Sequence, residues 1–375
     1  MSFGKISWRD DAEEYTTRAA AGERMVQLDP RKRQILKAVI NEYIATAEPV
    51  GSETIALRYN LGVSPATVRN EMAALEEMGY LHQPYTSAGR VPTDRAYRLY
   101  VDTLVEEEEK EILSLERERL RRRFRFSVGE PAEAVEEAAR TLAMVTEYAS
   151  IVAEPQPEHG VLKHLHLIPL SDTEAIAVII TDTGVIEGKV VQFTDGFSPD
   201  ELDRLSRHIS RRLAGYPLGE ITDRLLAQVI QEAVRHERAI QQLKRILRKS
   251  LWLSLRARVY IEGTANILLQ PEFQDIRRVR PLLSMLEQEE VLHDLLSDAV
   301  SKGFLVLIGS ENRYVEMQAC SVIAACYRVG GRPAGAVGII GPTRMPYKKV
   351  IPTVQFLAES LGEALTQLTH PTRIS

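Results

Sequence analysis

The segment from Ser64 to Met78 combines a helical pattern with side chains that can read duplex DNA. Ser64 is a preferred helix-capping residue, and Pro65 suits the first helical position, where a backbone N–H has no partner within the helix. At 100° per residue, one side of this helix carries small or hydrogen-bonding residues: Ala66, Arg69, Asn70 and Ala73. In the major groove, arginine can pair with guanine and asparagine with adenine. The spacing therefore predicts a recognition helix.

A helix in this position needs an apolar inner side, and its apolar residues share one face: Val68, Met72 and Leu75. Upstream, Arg31–Ala45 and Glu53–Tyr59 have the patterns of two further helices. The second of them is joined to the recognition helix by a short turn that contains Gly62, which is typical of a helix-turn-helix. Thr67 flanks the outer side near the capped N-terminus, where backbone N–H groups also favour a phosphate.

A β-hairpin is predicted directly after the recognition helix. Tyr80–Tyr85 has a short strand pattern, Thr86–Arg90 is a loop of small residues that ends in a cation, and Val91 starts the return strand. Such a hairpin is typical of the wing of a winged helix, whose tip can touch the DNA backbone or enter the minor groove. The residues expected to contact DNA are Ser64, Ala66, Thr67, Arg69, Asn70, Ser87 and Arg90.

The overall charge excludes a protein whose whole surface is basic. The chain's formal net charge is -5, and 44% of its residues are hydrophobic, as in an ordinary globular protein. The length of 375 residues predicts two or three domains. Any contact with nucleic acid must therefore be local. Because winged helices also act as protein-interaction modules, protein binding stays open as an alternative to DNA binding.

Targeting and redox signals in the sequence indicate a cytoplasmic protein. No apolar run reaches the roughly 18 residues of a membrane span, and no secretory signal pattern opens the chain. Cys320 and Cys326 lie in an apolar run, which predicts buried thiols in a reducing compartment. We therefore expect no membrane partner.

Patterning along the chain predicts a multidomain α+β protein. Residues 1–27 are polar without an apolar period, so we expect a disordered tail. The winged-helix domain then occupies residues 28–104. The charged segment Glu106–Arg125 predicts an exposed connecting helix.

Strand patterns lie on both sides of a strongly helical block in the second half of the chain. This order predicts one α/β domain, residues 105–197 and 297–375, interrupted by a mainly helical insertion at 198–296. Apolar residues recur at spacings of three or four from Ile221 to Leu247. That stripe fits either an intrachain core or a partner helix.

Other candidate sites have simpler structural interpretations. His164 and His166 share one strand face, but without further ligands an exposed polar face is preferred over a metal site. Gly335, Gly338 and Gly341 recur within and after an apolar strand and not before a helix, so we expect close strand packing rather than a phosphate-binding loop. No catalytic motif is present, and we expect no enzyme activity, cofactor or metal.

Three separated motifs carry a resemblance to a known family. They are Ser64–Met72 in the predicted helix, Thr86–Asp102 across the wing, and Gly338–Met345 near the C-terminus. Together they closely resemble the heat-inducible transcription repressors of the HrcA family, over about residues 27–370. Three positions depart from the usual family residue: Tyr85 (usually His), Ala96 (usually Gly) and Pro346 (usually Asp).

The resemblance implies a winged-helix domain, a GAF-like domain, and a dimerising domain inserted into the GAF-like one. Such repressors bind an inverted-repeat (CIRCE) operator upstream of chaperone operons of the chaperonin and DnaK type. The resemblance also implies that the GroEL-type chaperonin promotes the active form and that heat lifts repression by diverting the chaperonin to unfolded proteins. The position of the insertion then favours homodimer contacts by Leu225, Val229, Ile240, Leu243 and Leu247.

Two other classes of function stay open. An apolar pocket with converging polar groups in the GAF-like domain would favour a regulator gated by a small metabolite. An enzyme fused to a DNA-binding module would require a catalytic site, for which the sequence offers no motif. Arg344 follows Gly341-Pro342-Thr343 and could hold a carboxylate of the same chain or of a partner.

Overall fold

The computed structural model describes residues 28–107, 130–155, 160–182, 186–193, 197–233 and 258–369. The predicted tail, residues 1–27, lies outside these residues, as does nearly all of the predicted connecting helix Glu106–Arg125. The stripe residues Ile240, Leu243 and Leu247 also lie outside them.

The N-terminal unit has the element order of a winged helix. Its elements are α1 (Pro30–Thr46), α2 (Ser52–Arg58), α3 (Pro65–Glu77), β1 (Leu81–His82), β2 (Val91–Pro92) and α4 (Asp94–Glu107). Both longer N-terminal helices begin at a side-chain cap, because Asp29 and Ser64 accept hydrogen bonds from the backbone N–H groups of Lys32 (2.9 Å) and Thr67 (3.2 Å). The three helices predicted from the sequence are confirmed to within about one residue at each end.

The rest of the chain forms a mixed α and β body. Its elements are α5 (Pro131–Thr146), β3 (Ala149–Ala153), β4 (Leu162–Pro169), β5 (Glu174–Thr181), β6 (Ile186–Gln192), α6 (Pro199–Leu213), α7 (Asp223–Ala233), β7 (Val259–Glu262), α8 (Ala265–Leu268), α9 (Ile276–Leu286), α10 (Glu289–Lys302), β8 (Phe304–Ile308), β9 (Cys320–Val329), β10 (Arg332–Pro342) and α11 (Tyr347–Thr369).

A five-stranded antiparallel sheet lies at the centre of this body, in the strand order β7, β3, β10, β9, β8. Helices α5 and α11 cover one face, and α9 and α10 cover the other. Successive residues of a strand point to opposite faces, so strands covered on both sides need apolar residues at every position. This requirement explains the nearly continuous burial along β9 and β10.

Strands β4, β5 and β6 form a second, smaller antiparallel sheet, and α6 and α7 pack on one of its faces around a separate core. We call these five elements the small unit. Ser206 and Ser210 of α6 accept hydrogen bonds from the backbone N–H groups of Leu167 (2.8 Å) and Leu165 (2.9 Å) on β4. Side-chain hydroxyls of a helix thereby satisfy donors on an edge strand of the small sheet.

The small unit interrupts the large sheet at a different place from the one that the sequence pattern predicts. Strands β3 and β7 pair directly, with Ala153 opposite Val259, so the chain leaves the large sheet after Ala153 and returns at Val259. The predicted insertion, 198–296, differs at both ends, because β4–β6 belong to the small unit and α9 and α10 pack on the large sheet. Helical periodicity does not show which of two sheets a helix packs against.

Close packing at the glycines of β10 agrees with the strand interpretation. A Cβ atom at Gly338 would lie 3.0 Å from the carbonyl oxygen of Ile323, and one at Gly341 would lie 2.6 Å from the ring of Tyr148. A side chain at either position would require neighbouring atoms to move.

Both cysteines are free and buried, as predicted. Burial raises the pKa of the Cys320 thiol to about 12, so this group stays protonated at neutral pH. No helix among the described residues combines the length and the apolar character needed to cross a membrane.

Candidate nucleic-acid interface

Helix α3 has a buried side and an exposed side. Its inner residues Val68, Met72 and Leu75 are at most 1% exposed and fix the helix in the winged-helix core. The residues predicted to read bases lie on the exposed side: Ala66, Arg69 and Asn70. Arg69 is exposed and forms no salt bridge with the described residues. The predicted reading surface is therefore open to a ligand.

Ser64 and Thr67 organise the start of α3. The Ser64 hydroxyl accepts the Thr67 backbone N–H, and the two hydroxyl oxygens lie 3.0 Å apart. Thr67 is half-buried, whereas Ser64 is exposed. Because the first turn of a helix leaves N–H groups unpaired, a capped and exposed N-terminus of this kind suits a DNA phosphate.

The wing is a short hairpin whose tip is braced by one side chain. Strand β1 pairs with β2, with Leu81 opposite Pro92. The Gln83 carboxamide donates to the carbonyl oxygens of Thr86 (3.0 Å) and Ala88 (2.8 Å), which holds the loop closed. Ser87 lies exposed in this loop, as its predicted role requires.

Tyr85 is a wing residue that the predicted set of DNA contacts lacks. It lies beside the tip and is 63% exposed, which is unusual for a large aromatic side chain. An exposed aromatic on a wing can stack on bases or wedge into the minor groove. The sequence signal that points to Tyr85 is that it stands where the family that the chain resembles usually has histidine.

Arg90 lies at the base of the wing, where the predicted loop ends. Its Nε donates to one carboxylate oxygen of Glu76 on α3 (2.9 Å), and the other oxygen of Glu76 accepts the Gln83 backbone N–H (3.0 Å). The Arg90 side chain is only 17% exposed. Arg90 therefore joins the wing to the recognition helix through its Nε. Its contact with DNA stays a prediction, since the guanidinium has four further N–H donors.

The base of the wing also packs against the turn between α1 and α2. Arg90 exchanges two backbone hydrogen bonds with Val50, both of 2.9 Å. At the neighbouring Gly89, a Cβ atom would lie 2.5 Å from the carbonyl oxygen of Val50. A glycine is required there because the two backbones approach so closely.

We expect Glu76→Gln to loosen the wing. A carboxamide has one acceptor oxygen where the carboxylate has two, so it can accept from Arg90 or from the Gln83 backbone N–H but not from both. The loss of one hydrogen bond and of the carboxylate charge should cost about 1–2 kcal/mol. Denaturant titration should show this loss of stability, and gel-shift titration should show weaker DNA binding.

The matched control is Glu77→Gln, which removes the same charge from the exposed neighbouring position on α3. Equal effects of the two substitutions on DNA affinity would show that only net charge matters and that Glu76 does not hold the wing.

The residues predicted to form dimer contacts fall into two groups. Val229 is 1% exposed within the core of the small unit, and Leu225 packs against that core. Val229 therefore stabilises its own chain, which corrects its assignment to a dimer contact, whereas the assignment of the half-buried Leu225 stays a prediction. The predicted contacts Ile240, Leu243 and Leu247 lie outside the described residues.

The histidine pair on β4 lies at the surface. The rings of His164 and His166 stack with centroids 5.9 Å apart, and both residues are exposed. The described parts of the chain contain no group of three or more His, Cys, Asp or Glu side chains placed to hold a metal ion.

Comparison with known proteins agrees with the geometry of α3 and the wing. The family model described as "HrcA protein C terminal domain" matches residues 132–351, and "Winged helix-turn-helix transcription repressor, HrcA DNA-binding" matches residues 27–104. The chain belongs to the HrcA family. A heat-inducible transcription repressor HrcA from Moorella thermoacetica is 42% identical over 344 residues, which is 92% of this chain and 99% of the relative.

Other HrcA proteins and one solved structure are similar over nearly the whole chain. The HrcA of Natranaerobius thermophilus is 42% identical over 342 residues, 91% of this chain and 98% of the relative. A crystal structure described as a hypothetical protein is 25% identical with a TM-score of 0.60, and the match covers 91% of this chain and 100% of that one. The family is one of heat-inducible transcription repressors, so the winged helix at residues 27–104 is the DNA-binding domain.

Proposed function

We propose that this HrcA-family protein represses chaperone operons, of the chaperonin and DnaK type, by binding a CIRCE-type inverted-repeat operator as a homodimer. The GroEL-type chaperonin promotes the binding form, and heat relieves repression when unfolded proteins occupy the chaperonin. The protein acts in the cytoplasm and has no catalytic activity.

The exposed side of α3 is the observation that carries this proposal. Arg69 and Asn70 project from a helix whose opposite side is buried, and the Glu76 bridge holds the wing beside them. We assign Arg69 to a guanine, Asn70 to an adenine and Ala66 to an apolar contact with a base. Ser64, Thr67 and Ser87 then lie near phosphates, where they set the register without reading sequence.

Two copies of the protein are needed because an inverted repeat has two-fold symmetry. Each α3 would enter one major groove, with half-sites about 34 Å apart or at a multiple of that distance. We assign the dimer contacts to Leu225, Ile240, Leu243 and Leu247. The GAF-like domain then corresponds to the large sheet with its helices. The small unit then belongs to the dimerising insertion.

Footprinting on the promoter of the organism's own chaperonin operon tests the proposal. The full-length protein should protect both halves of an inverted repeat, and added chaperonin should lower the protein concentration needed. A probe in which one half-site is scrambled is the control, and it should bind more weakly. Equal protection of the scrambled probe would contradict binding as a dimer, and no effect of chaperonin would contradict its role as an activator.

A further inference from the structure

The winged helix and the body share one continuous core. Tyr97 of α4 is 1% exposed, and its ring lies 6.0 Å from that of Tyr347 on α11 at an angle of 47°. Apolar residues of α1, α3 and α4 belong to the same buried cluster as α5, α11 and one face of the large sheet. The DNA-binding domain therefore packs directly on the body of its own chain.

Helix α4 also makes polar contacts with strand β8 and with the turn that follows it. The Asp94 carboxylate accepts the Ser310 backbone N–H (2.8 Å), and Arg98 donates to the carbonyl oxygen of Val306 (2.6 Å) and forms a salt bridge with Glu311. These contacts join the first turns of α4 to the edge of the large sheet.

Arg344 makes a second polar contact between the body and the winged helix. Its guanidinium donates to the carbonyl oxygen of Ile44 in the last turn of α1 (3.2 Å) and to the Gln270 side chain (3.2 Å), and it forms a salt bridge with Glu272. The arginine is only 12% exposed. The carboxylate that Arg344 holds thus belongs to the same chain, which decides between the two possibilities left open by the sequence.

The contact with Ile44 meets a need of α1. The last carbonyl groups of a helix lack partners within it and attract a positive charge. Helix α1 has no basic residue in its last turn, so Arg344 supplies this charge from the body. The fork of the guanidinium lets one side chain hold the helix end and Glu272 together.

We infer that Arg344 is a positioning residue, which fixes the angle of the winged helix on the body and thereby sets the separation of the two α3 helices in the DNA-bound dimer. The inference rests on the proposed function, since only a dimer on an inverted repeat has such a separation. Arg344 touches no base, and its effect on DNA binding passes through α1.

The test is how the binding affinity depends on the distance between the two half-sites. A residue that only stabilised the fold would not change this dependence. Two recognition helices held at a fixed separation tolerate only half-sites at the matching distance, whereas loosely held ones lose less affinity when that distance changes. The probes are the natural inverted repeat, the same repeat with about five base pairs inserted between its halves (half a helical turn), and a single half-site.

For the wild-type full-length protein, we expect the insertion to weaken binding about tenfold or more. For Arg344→Ala, we expect the same insertion to weaken binding about threefold or less, with affinity for the single half-site unchanged. The matched control is Arg140→Ala, which removes an exposed arginine from α5 whose described salt bridge is to Glu136, one turn earlier in the same helix. It should keep the wild-type dependence on spacing.

Arg344→Lys is the second variant, in case the alanine variant does not fold. It keeps the charge but loses the fork, and it should show intermediate tolerance to spacing. Wild-type dependence on spacing in a folded Arg344 variant would overturn the inference, as would loss of single half-site binding in a variant with wild-type circular dichroism. A wild-type protein that does not prefer the inverted repeat to the single half-site would instead contradict the proposed function.

Discussion

Arg69→Ala should weaken binding to the operator by about 1–3 kcal/mol, or roughly five- to 150-fold, if Arg69 pairs with a guanine. The side chain is exposed on α3 and forms no salt bridge with the described residues, so its removal should leave the fold intact. Gel-shift titration on the natural operator measures the loss. Titration on operators substituted at single base pairs shows whether discrimination is lost at one position.

The control for this prediction is Arg211→Ala, which removes an exposed arginine from α6 in the small unit. It should not change operator affinity. Unchanged affinity in Arg69→Ala would remove the base-reading assignment. Equal weakening on every sequence, with a smaller dependence on salt, would instead assign Arg69 to a phosphate.

Gly362→Ala should be among the most destabilising small substitutions in the body. In an exposed helix the change would stabilise by about 1 kcal/mol, because alanine is the better helix former. Here, however, a Cβ atom would lie 2.5 Å from the carbonyl oxygen of Arg328 on β9. Moving α11 away from the sheet would cost about 1–3 kcal/mol or more, so the clash should dominate.

Thermal unfolding followed by circular dichroism measures this effect, and a fall in Tm of several degrees is expected. Glu363→Ala is the control, since it places alanine at the exposed neighbouring position of α11 and should leave Tm nearly unchanged. A higher Tm for Gly362→Ala would show that helix propensity outweighs the close approach of α11 to β9.

The recognition helix could be predicted because its signals are local. A cap at Ser64, a proline at the first position and an apolar face with helical period all lie within one short segment. These features fix which side of the helix is buried, and hence that Arg69 and Asn70 are exposed. The family resemblance adds the class of ligand, which periodicity alone does not give.

The contacts that could not be predicted join residues far apart in the chain. The Glu76 partner of Arg90 lies 14 residues away, and Ile44 lies 300 residues from Arg344. Nothing in the spacing of charges identifies such a partner, because it depends on how whole elements pack. The start of the small unit was missed for the same reason, since strand and helix periods describe each segment but not its neighbour.

The pairing of Ala153 with Val259 has a consequence for how this protein can evolve. Opposed residues of antiparallel strands lie about 5 Å apart, so the two ends of the interrupting segment are adjacent. A few residues would be enough to bridge them, and the small unit has its own core. We therefore expect the length and sequence of this segment to vary more among relatives than those of the large sheet.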